Sequence, residues 1–119
     1  METNTLILTG GAIVVVVLAL RAFLASRSGL SREMIRTMVA QGALVLDVRT
    51  PGEFVRAHAS GSRNIPLDRL AGQLKGLDRS KPILVCCASG ARSAAAKAIL
   101  DKAGFARVGN AGPWQRLQA

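Results

Sequence analysis

Two short apolar runs constrain the fold of this 119-residue chain more than any other feature of its sequence. They are ALVLDV (43–48) and PILVC (82–86), each an almost unbroken hydrophobic stretch. Such runs are typical of strands that are buried on both faces, as in parallel sheets covered by helices. Helix-forming segments flank and separate the two runs, and this alternation predicts an α/β fold with a parallel sheet flanked by helices.

Local signals predict where the other elements begin and end. Ser31 is a suitable N-cap for a helix that Gly42 would stop, and Thr50 followed by Pro51 is typical of a second helix start. The remaining predicted elements are helices at 67–77 and 91–103, short strands at 63–66 and 105–108, and a helical turn at 113–117.

The first thirty residues have the composition of a membrane span. Residues 3–20 contain no Lys, Arg, Asp or Glu. As a helix, residues 6–24 would be about 28 Å long, which matches a hydrocarbon core of about 30 Å. Cations follow this segment, so the positive-inside rule predicts an N-terminus outside and a cytoplasmic remainder. We therefore expect a transmembrane helix with its linker at 1–29, in contact with membrane lipid through 6–24, and a second domain at 30–119.

Charge and cysteine content limit the classes of partner. The formal net charge is +9, but aromatic residues make up only 3% of the chain, so few side chains are available to stack on bases. No nucleic-acid partner is expected, whereas a dispersed positive charge suits small anions or an anionic membrane surface. Adjacent cysteines bridge only with severe strain, so Cys86 and Cys87 are expected to be free thiols in a reducing compartment.

The segment that follows the second apolar run has the composition of an anion-binding loop. It lies where a parallel sheet binds ligands, beyond the carboxyl end of a strand and directly before a helix. Backbone N–H groups and the positive end of that helix would point into one concavity. Ala88 and Ala91 leave this concavity open, Gly90 permits a left-handed backbone, and Arg92 adds a cation. Cys87 at its mouth would have a lowered pKa and act as a thiolate nucleophile.

Four segments of the chain, in order, carry a family pattern. They are LDVRTPGEF (46–54), HASGSRNIP (58–66), CASGAR (87–92) and GNAGPW (109–114). These segments resemble the Asp-Val-Arg strand with its acidic helix start, the His-x-x-Gly-Ala-x-Asn-Ile-Pro segment, the Cys-x-x-Gly-x-Arg loop and the Gly-rich stretch ending in Trp of the rhodanese (sulfurtransferase) family. Ser62 stands where Ala is usual, and the last stretch looks shortened. The chain thus resembles a single-domain rhodanese with an N-terminal membrane anchor.

This resemblance implies an activity and a set of site residues. A cysteine would take sulfane sulfur from thiosulfate or another small anionic donor, become a persulfide, and pass the sulfur to a thiol or cyanide acceptor. No cofactor and no metal site are expected. The family pattern places catalysis on Cys87, the binding loop at Ala88, Ser89, Gly90, Ala91, Arg92 and Ser93, and supporting roles on Asp47, Arg49, Glu53 and His58. It also implies that Arg49 pairs with an acid such as Glu53, and that His58 is a hydrogen-bonded loop residue.

The spacing within the loop selects Cys87 over Cys86. Counted from Cys87, glycine falls at plus three and arginine at plus five, as in single-domain rhodaneses. Counted from Cys86, the arginine falls at plus six, which is the Cys-x5-Arg spacing of phosphatases that form a cysteinyl phosphate. Cys86 has Ser89 rather than glycine at plus three, and it continues the buried strand. We therefore expect sulfur transfer on Cys87.

The expected location is a bacterial inner membrane, with a single pass and a cytoplasmic catalytic domain. Two alternatives stay open at this point. One is a non-catalytic, membrane-tethered docking module, and the other is a phosphatase that uses Cys86.

Overall fold

The computed structural model describes residues 11–21 and 29–118. Residues 11–21 form helix α1, and all of its side chains are exposed. Within these two stretches, no helix is long and apolar enough to cross a membrane. The span predicted for residues 6–24 lies partly outside the described residues. The anchor and the domain boundary between residues 29 and 30 therefore stay predictions.

A four-stranded parallel sheet forms the centre of residues 29–118. Its strands are β1 (Leu44–Asp47), β2 (Arg63–Asn64), β3 (Ile83–Cys87) and β4 (Val108–Pro113), in the order β2-β1-β3-β4. The two apolar runs supply the central strands β1 and β3, and every residue of β3 is buried. Because all the strands are parallel, their carboxyl ends meet at one edge of the sheet. The predicted α/β class is confirmed.

Helices cover both faces of this sheet. Helix α2 (Arg32–Ala40) and the 3₁₀ turn Trp114–Leu117 pack on one face, whereas α4 (Leu67–Leu70), α5 (Ala91–Lys102) and the 3₁₀ turn Leu74–Gly76 lie on the other. Helix α3 (Pro51–Arg56) buries none of its residues. Two predicted N-caps are confirmed. The Ser31 hydroxyl accepts the Met34 N–H at 3.2 Å, and Thr50 forms a reciprocal capping box with Glu53.

Alternate residues of β3 belong to two separate apolar clusters. Ile83, Val85 and Cys87 pack in the larger cluster, together with side chains from α4 and α5. Leu84 and Cys86 pack in the smaller cluster, with α2 and the C-terminal 3₁₀ turn. Successive side chains of a strand point to opposite faces of the sheet, so the two thiols are separated by the sheet itself.

Two predicted elements have the wrong extent. The helix predicted over 67–77 ends at Leu70 and gives way to turns, because Gly72 and Gly76 interrupt it and each glycine costs a helix about 1 kcal/mol relative to alanine. The last strand was predicted at 105–108 but runs from Val108 to Pro113, and Phe105 is a buried residue of the preceding loop.

The buried face of α5 also differs from the predicted one. The sequence favoured a face that contains Ala95, Ala98, Ile99 and Lys102, whereas the structure buries Ser93, Ala96 and Leu100. An Ala-rich helix has little amphipathic pattern of its own, so the sheet on which it packs determines the face it buries.

Gly109 allows β4 to lie against its neighbours. A Cβ atom at this position would meet Leu30 Cδ1 and would lie 3.1 Å from Met38 Sδ and 3.2 Å from Leu84 Cδ2. The register then shifts, since Val85 pairs with Asn110 but Cys86 pairs with Gly112. This bulge lies beside the carboxyl end of β3, and bulges re-aim side chains at such positions.

An ion pair joins the first turns of α3 and α5. Arg92 Nη1 lies 2.7 Å from Glu53 Oε1, and Arg92 Nη2 lies 3.0 Å from Glu53 Oε2. Hydrogen bonding from Arg92, supported by Thr50, lowers the pKa of Glu53 from its ordinary 4.5 to about 2. A bidentate pair of this kind fixes orientation as well as charge.

Glu53 should therefore contribute pH-dependent stability. Because its pKa is lower in the folded chain than in the unfolded one, its contribution is present above about pH 4.5 and is lost as the pH falls toward about 2. We expect the stability difference between the wild type and Glu53→Gln to shrink over this window. Urea unfolding at several pH values measures it, with Glu33→Gln on α2 as the control. A difference that is the same at all pH values would contradict the prediction.

Candidate active site

Cys87 is the last residue of β3, and its side chain is fully buried. The sequence had placed it in the loop, but the ladder to β4 extends one residue further, because Cys87 pairs with Pro113. The loop then turns at Gly90, whose φ of 103° is left-handed, as the sequence predicted, and α5 begins at Ala91. The sulfur thus lies at the carboxyl edge of the sheet, directly below a helix start.

Groups of this loop and of the first turn of α5 contact the Cys87 sulfur. The Gly90 N–H donates to Sγ at 2.9 Å, and Ser93 Oγ lies 3.3 Å from it. Burial by itself raises the pKa of Cys87. Hydrogen bonds from Ser93 and from the Gly90 and Ser89 backbone outweigh that effect and hold the pKa below its ordinary value of 9.0. A lowered pKa increases the thiolate fraction, and the thiolate is the nucleophilic form of cysteine.

Cys86 has the opposite properties. It lies on the other face of the sheet and is fully buried, as a residue of the predicted strand. Burial, reinforced by the negative charge of Asp47, raises the pKa of Cys86 to about 12. This thiol is therefore protonated at neutral pH and faces away from the loop that contacts Cys87.

The predicted loop residues differ in their exposure. Ala88, Ser89 and Ala91 are exposed and form the rim. Ser93 is buried beneath the loop, where it contacts the Cys87 sulfur. Arg92 is half-exposed and is paired with Glu53, so it does not stand at the loop as an uncompensated cation.

Arg49 pairs with an acid, as the resemblance implied, but that acid is Asp47 rather than Glu53. Arg49 binds the Asp47 carboxylate, with Nη2 2.8 Å from Oδ2, and also donates to the Ala57 carbonyl at 2.7 Å. Both charges are buried, and a buried charge needs a close partner, which residues two apart on one strand end supply. The guanidinium also lies 4.9 Å from the centroid of the Trp114 ring. Asp47 and Arg49 thus join β1 to the segments around them.

His58 lies in the exposed loop after α3. Its Nδ1 is 2.7 Å from the Phe54 carbonyl oxygen, and the two rings stack with centroids 3.8 Å apart. The prediction of a hydrogen-bonded loop histidine is confirmed.

Asn110 is a residue of this site that the sequence did not predict. It is buried in β4, and its Oδ1 accepts from Ser93 Oγ at 2.7 Å and from the Gly112 N–H at 2.9 Å. Its Nδ2 donates to the Gly90 carbonyl at 3.2 Å. The sequence signal was a lone polar residue among the small residues of GNAGP (109–113).

Comparison with known proteins shows which family this chain is similar to. A family model for the rhodanese-like domain matches residues 31–111. The thiosulfate sulfurtransferase GlpE of Pseudomonas fluorescens (strain Pf0-1) is 37% identical over 76 residues, which cover 64% of this chain and 70% of the relative.

Solved structures show the same likeness. A rhodanese-related protein from Thermoplasma volcanium is 34% identical with a TM-score of 0.65, and the match covers 74% of this chain and 87% of that one. A rhodanese with anions from E. coli is 32% identical with a TM-score of 0.58, covering 62% and 89%. The chain belongs to the rhodanese-like domain family and is a rhodanese-type sulfurtransferase.

Proposed function

We propose that Cys87 takes a sulfane sulfur from thiosulfate or a similar small anionic donor and passes it to a thiol or cyanide acceptor. The observation that carries this proposal is the Cys87 sulfur itself, which is hydrogen-bonded by Gly90 and Ser93 at the start of α5. Two relatives support the anionic donor. GlpE of P. fluorescens is named a thiosulfate sulfurtransferase, and the E. coli rhodanese is described with anions.

The transfer consists of two displacements at sulfur. The Cys87 thiolate attacks the sulfane sulfur of thiosulfate, so a new S–S bond forms while the bond to the sulfonate breaks and sulfite leaves with the electron pair. An acceptor thiolate or cyanide then attacks the terminal sulfur of the persulfide, and the Cys87 thiolate is the leaving group. A lowered pKa of Cys87 supports both steps, because it provides the thiolate and makes it a better leaving group.

Backbone dipoles attract the anion in this scheme. Arg92 is paired with the Glu53 carboxylate, so its charge is largely compensated. The loop N–H groups and the N-terminus of α5 remain to stabilise negative charge on the sulfur atoms. A short loop lined by N–H groups suits one added sulfur atom.

The phosphatase alternative has an unsuitable nucleophile. Cys86 is buried, faces the α2 side of the sheet and has a pKa of about 12. A cysteinyl phosphate on Cys86 would require this thiol to ionise and to leave its cluster. We therefore assign the chemistry to Cys87.

The assignment predicts different behaviour of the two thiols. Incubation of the purified chain with thiosulfate should add one sulfur atom, seen by intact-mass spectrometry, and cyanide should remove it. Cys87→Ala should abolish this adduct, because the only thiolate of the loop is lost. The matched control Cys86→Ala should retain the adduct, since Cys86 faces the other side of the sheet. Loss of the adduct in Cys86→Ala alone, or no adduct in the wild type, would refute the assignment.

We also propose that residues 6–24 anchor the catalytic domain to a bacterial inner membrane, with the N-terminus outside and the domain in the cytoplasm. The described part of this segment supports the idea, because α1 exposes Val15 and Val16 at 65% each. Contiguous exposed apolar surface of this kind suits lipid. Arg32 and Arg36 of α2 follow the segment within the next twelve residues and are exposed, and cations on this side suit an anionic leaflet.

The anchor predicts how the full chain fractionates. It should remain with bacterial membranes after an alkaline wash, and Val15→Glu/Val16→Glu should release it, since each central charge costs about 2.5–3.5 kcal/mol on insertion. Val55→Glu is the matched control, because Val55 is exposed on α3, outside the segment. In a cysteine-free background, an impermeant maleimide should label Thr5→Cys in intact cells but Ser80→Cys only after lysis. Retention of the double variant in the membrane, or the opposite labelling, would contradict the anchor or its topology.

A further inference from the structure

The Ser93 hydroxyl has one hydrogen, but three acceptors lie close to it. They are Asn110 Oδ1 at 2.7 Å, the Gly90 carbonyl oxygen at 3.1 Å and Cys87 Sγ at 3.3 Å. A hydroxyl can donate to one acceptor at a time, so these three compete. The state of the Cys87 sulfur must affect which acceptor receives the hydrogen.

The orientation of the Asn110 amide is fixed by groups other than Ser93. The Gly112 N–H can only donate and lies 2.9 Å from Oδ1, while the Gly90 carbonyl can only accept and lies 3.2 Å from Nδ2. The Asn110 atom that faces Ser93 is therefore an acceptor, so Ser93 is the donor whenever these two side chains are hydrogen-bonded. Both side chains are buried, so these partners are supplied by the protein.

We propose that Asn110 is a positioning residue that competes with the Cys87 sulfur for the Ser93 hydrogen and thereby disfavours the thiolate. In the thiol state, Cys87 donates to Ser93 Oγ and Ser93 donates to Asn110. In the thiolate state, the Ser93 hydroxyl turns its hydrogen to the sulfur, and Asn110 Oδ1 keeps the Gly112 N–H. Asn110 thus stabilises the form in which Sγ is uncharged.

One part of this inference rests on the proposed function. When Cys87 carries a persulfide, the negative charge lies on the terminal sulfur and Sγ is uncharged. The Ser93 hydrogen then returns to Asn110. In each turnover, the Ser93 hydroxyl would donate to Sγ while Sγ is charged and to Asn110 while it is not.

The charged groups around Cys87 are held by other partners. Arg92 of α5 is paired with Glu53 of α3, and Asp47 is paired with Arg49 at the end of β1. Cys86, the neighbour on β3, has its pKa raised by burial. A substitution of Asn110 leaves these pairs in place, and a double-mutant cycle with Ser93 separates an effect on Cys87 ionisation through the hydroxyl from one through the Gly90 loop.

The test is a double-mutant cycle on the full chain in a Cys86→Ala background. The rate of Cys87 alkylation by iodoacetamide is measured as a function of pH. The midpoint of this rate profile is the pH at which half of Cys87 is ionised to the thiolate. Asn110→Ala should lower the midpoint by about half to one pH unit, the equivalent of one neutral hydrogen bond. Ser93→Ala should raise the midpoint, and adding Asn110→Ala to it should change nothing further.

Two further variants separate this role from general support of the fold. Asn110→Leu keeps more of the side-chain volume than alanine and should give the same downward shift. Asn64→Ala is the matched control, because Asn64 bonds the Asp47 and Arg49 carbonyls at the same edge of the sheet without contacting Ser93. It should leave the midpoint unchanged.

An unmoved or raised midpoint in both Asn110 variants would overturn the proposal, as would a shift of equal size in the Ser93→Ala background. Alkylation requires no sulfur transfer. The cycle therefore tests the role of Asn110 even if thiosulfate adds no sulfur to the wild type. That separate outcome would refute the proposed function.

Discussion

The alternation of side chains along β3 is the constraint on which the rest of the site depends. Because β3 is buried on both faces, each of its residues must fit one of two apolar clusters. Cys87 falls on the face that α5 covers, and Cys86 falls on the face that α2 covers. A shift of one residue would exchange the two faces, so that Cys86 would lie under the loop and Cys87 would be buried on the α2 side. Two adjacent cysteines thus have different chemical environments because successive residues of a strand face opposite sides of the sheet.

The carboxyl edge of the sheet is closed by buried polar groups that satisfy one another. Asp47 and Arg49 form an ion pair there, while Ser93 and Asn110 hold the loop that contacts Cys87. Among the described residues, every buried side-chain nitrogen and oxygen has a hydrogen-bond partner. Such a network keeps donors in fixed positions, which favours electrostatic stabilisation of a charged sulfur.

Arg92 illustrates how the structure redistributes charge near the site. Its pairing with Glu53 joins α3 to α5 and compensates the loop cation, so backbone N–H groups are left to attract anions. These N–H groups lie at the loop itself, whereas the net charge of +9 is dispersed along the chain. Ser93 and Asn110 also affect the charge near the site, because they determine which acceptor receives the Ser93 hydroxyl hydrogen.

Local features of the sequence were sufficient to predict the central strands, the caps at Ser31 and Thr50 and the left-handed Gly90, whereas catalysis on Cys87 stays a prediction. Each depends on a few neighbouring residues, whose periodicity, capping chemistry or spacing is read along the chain. The position of β4, the buried face of α5, the Asp47–Arg49 pair and the contacts of Asn110 were decided only by the tertiary structure. These features join segments distant in sequence, such as Ser93 with Asn110, and depend on which groups packing leaves buried and in need of a partner.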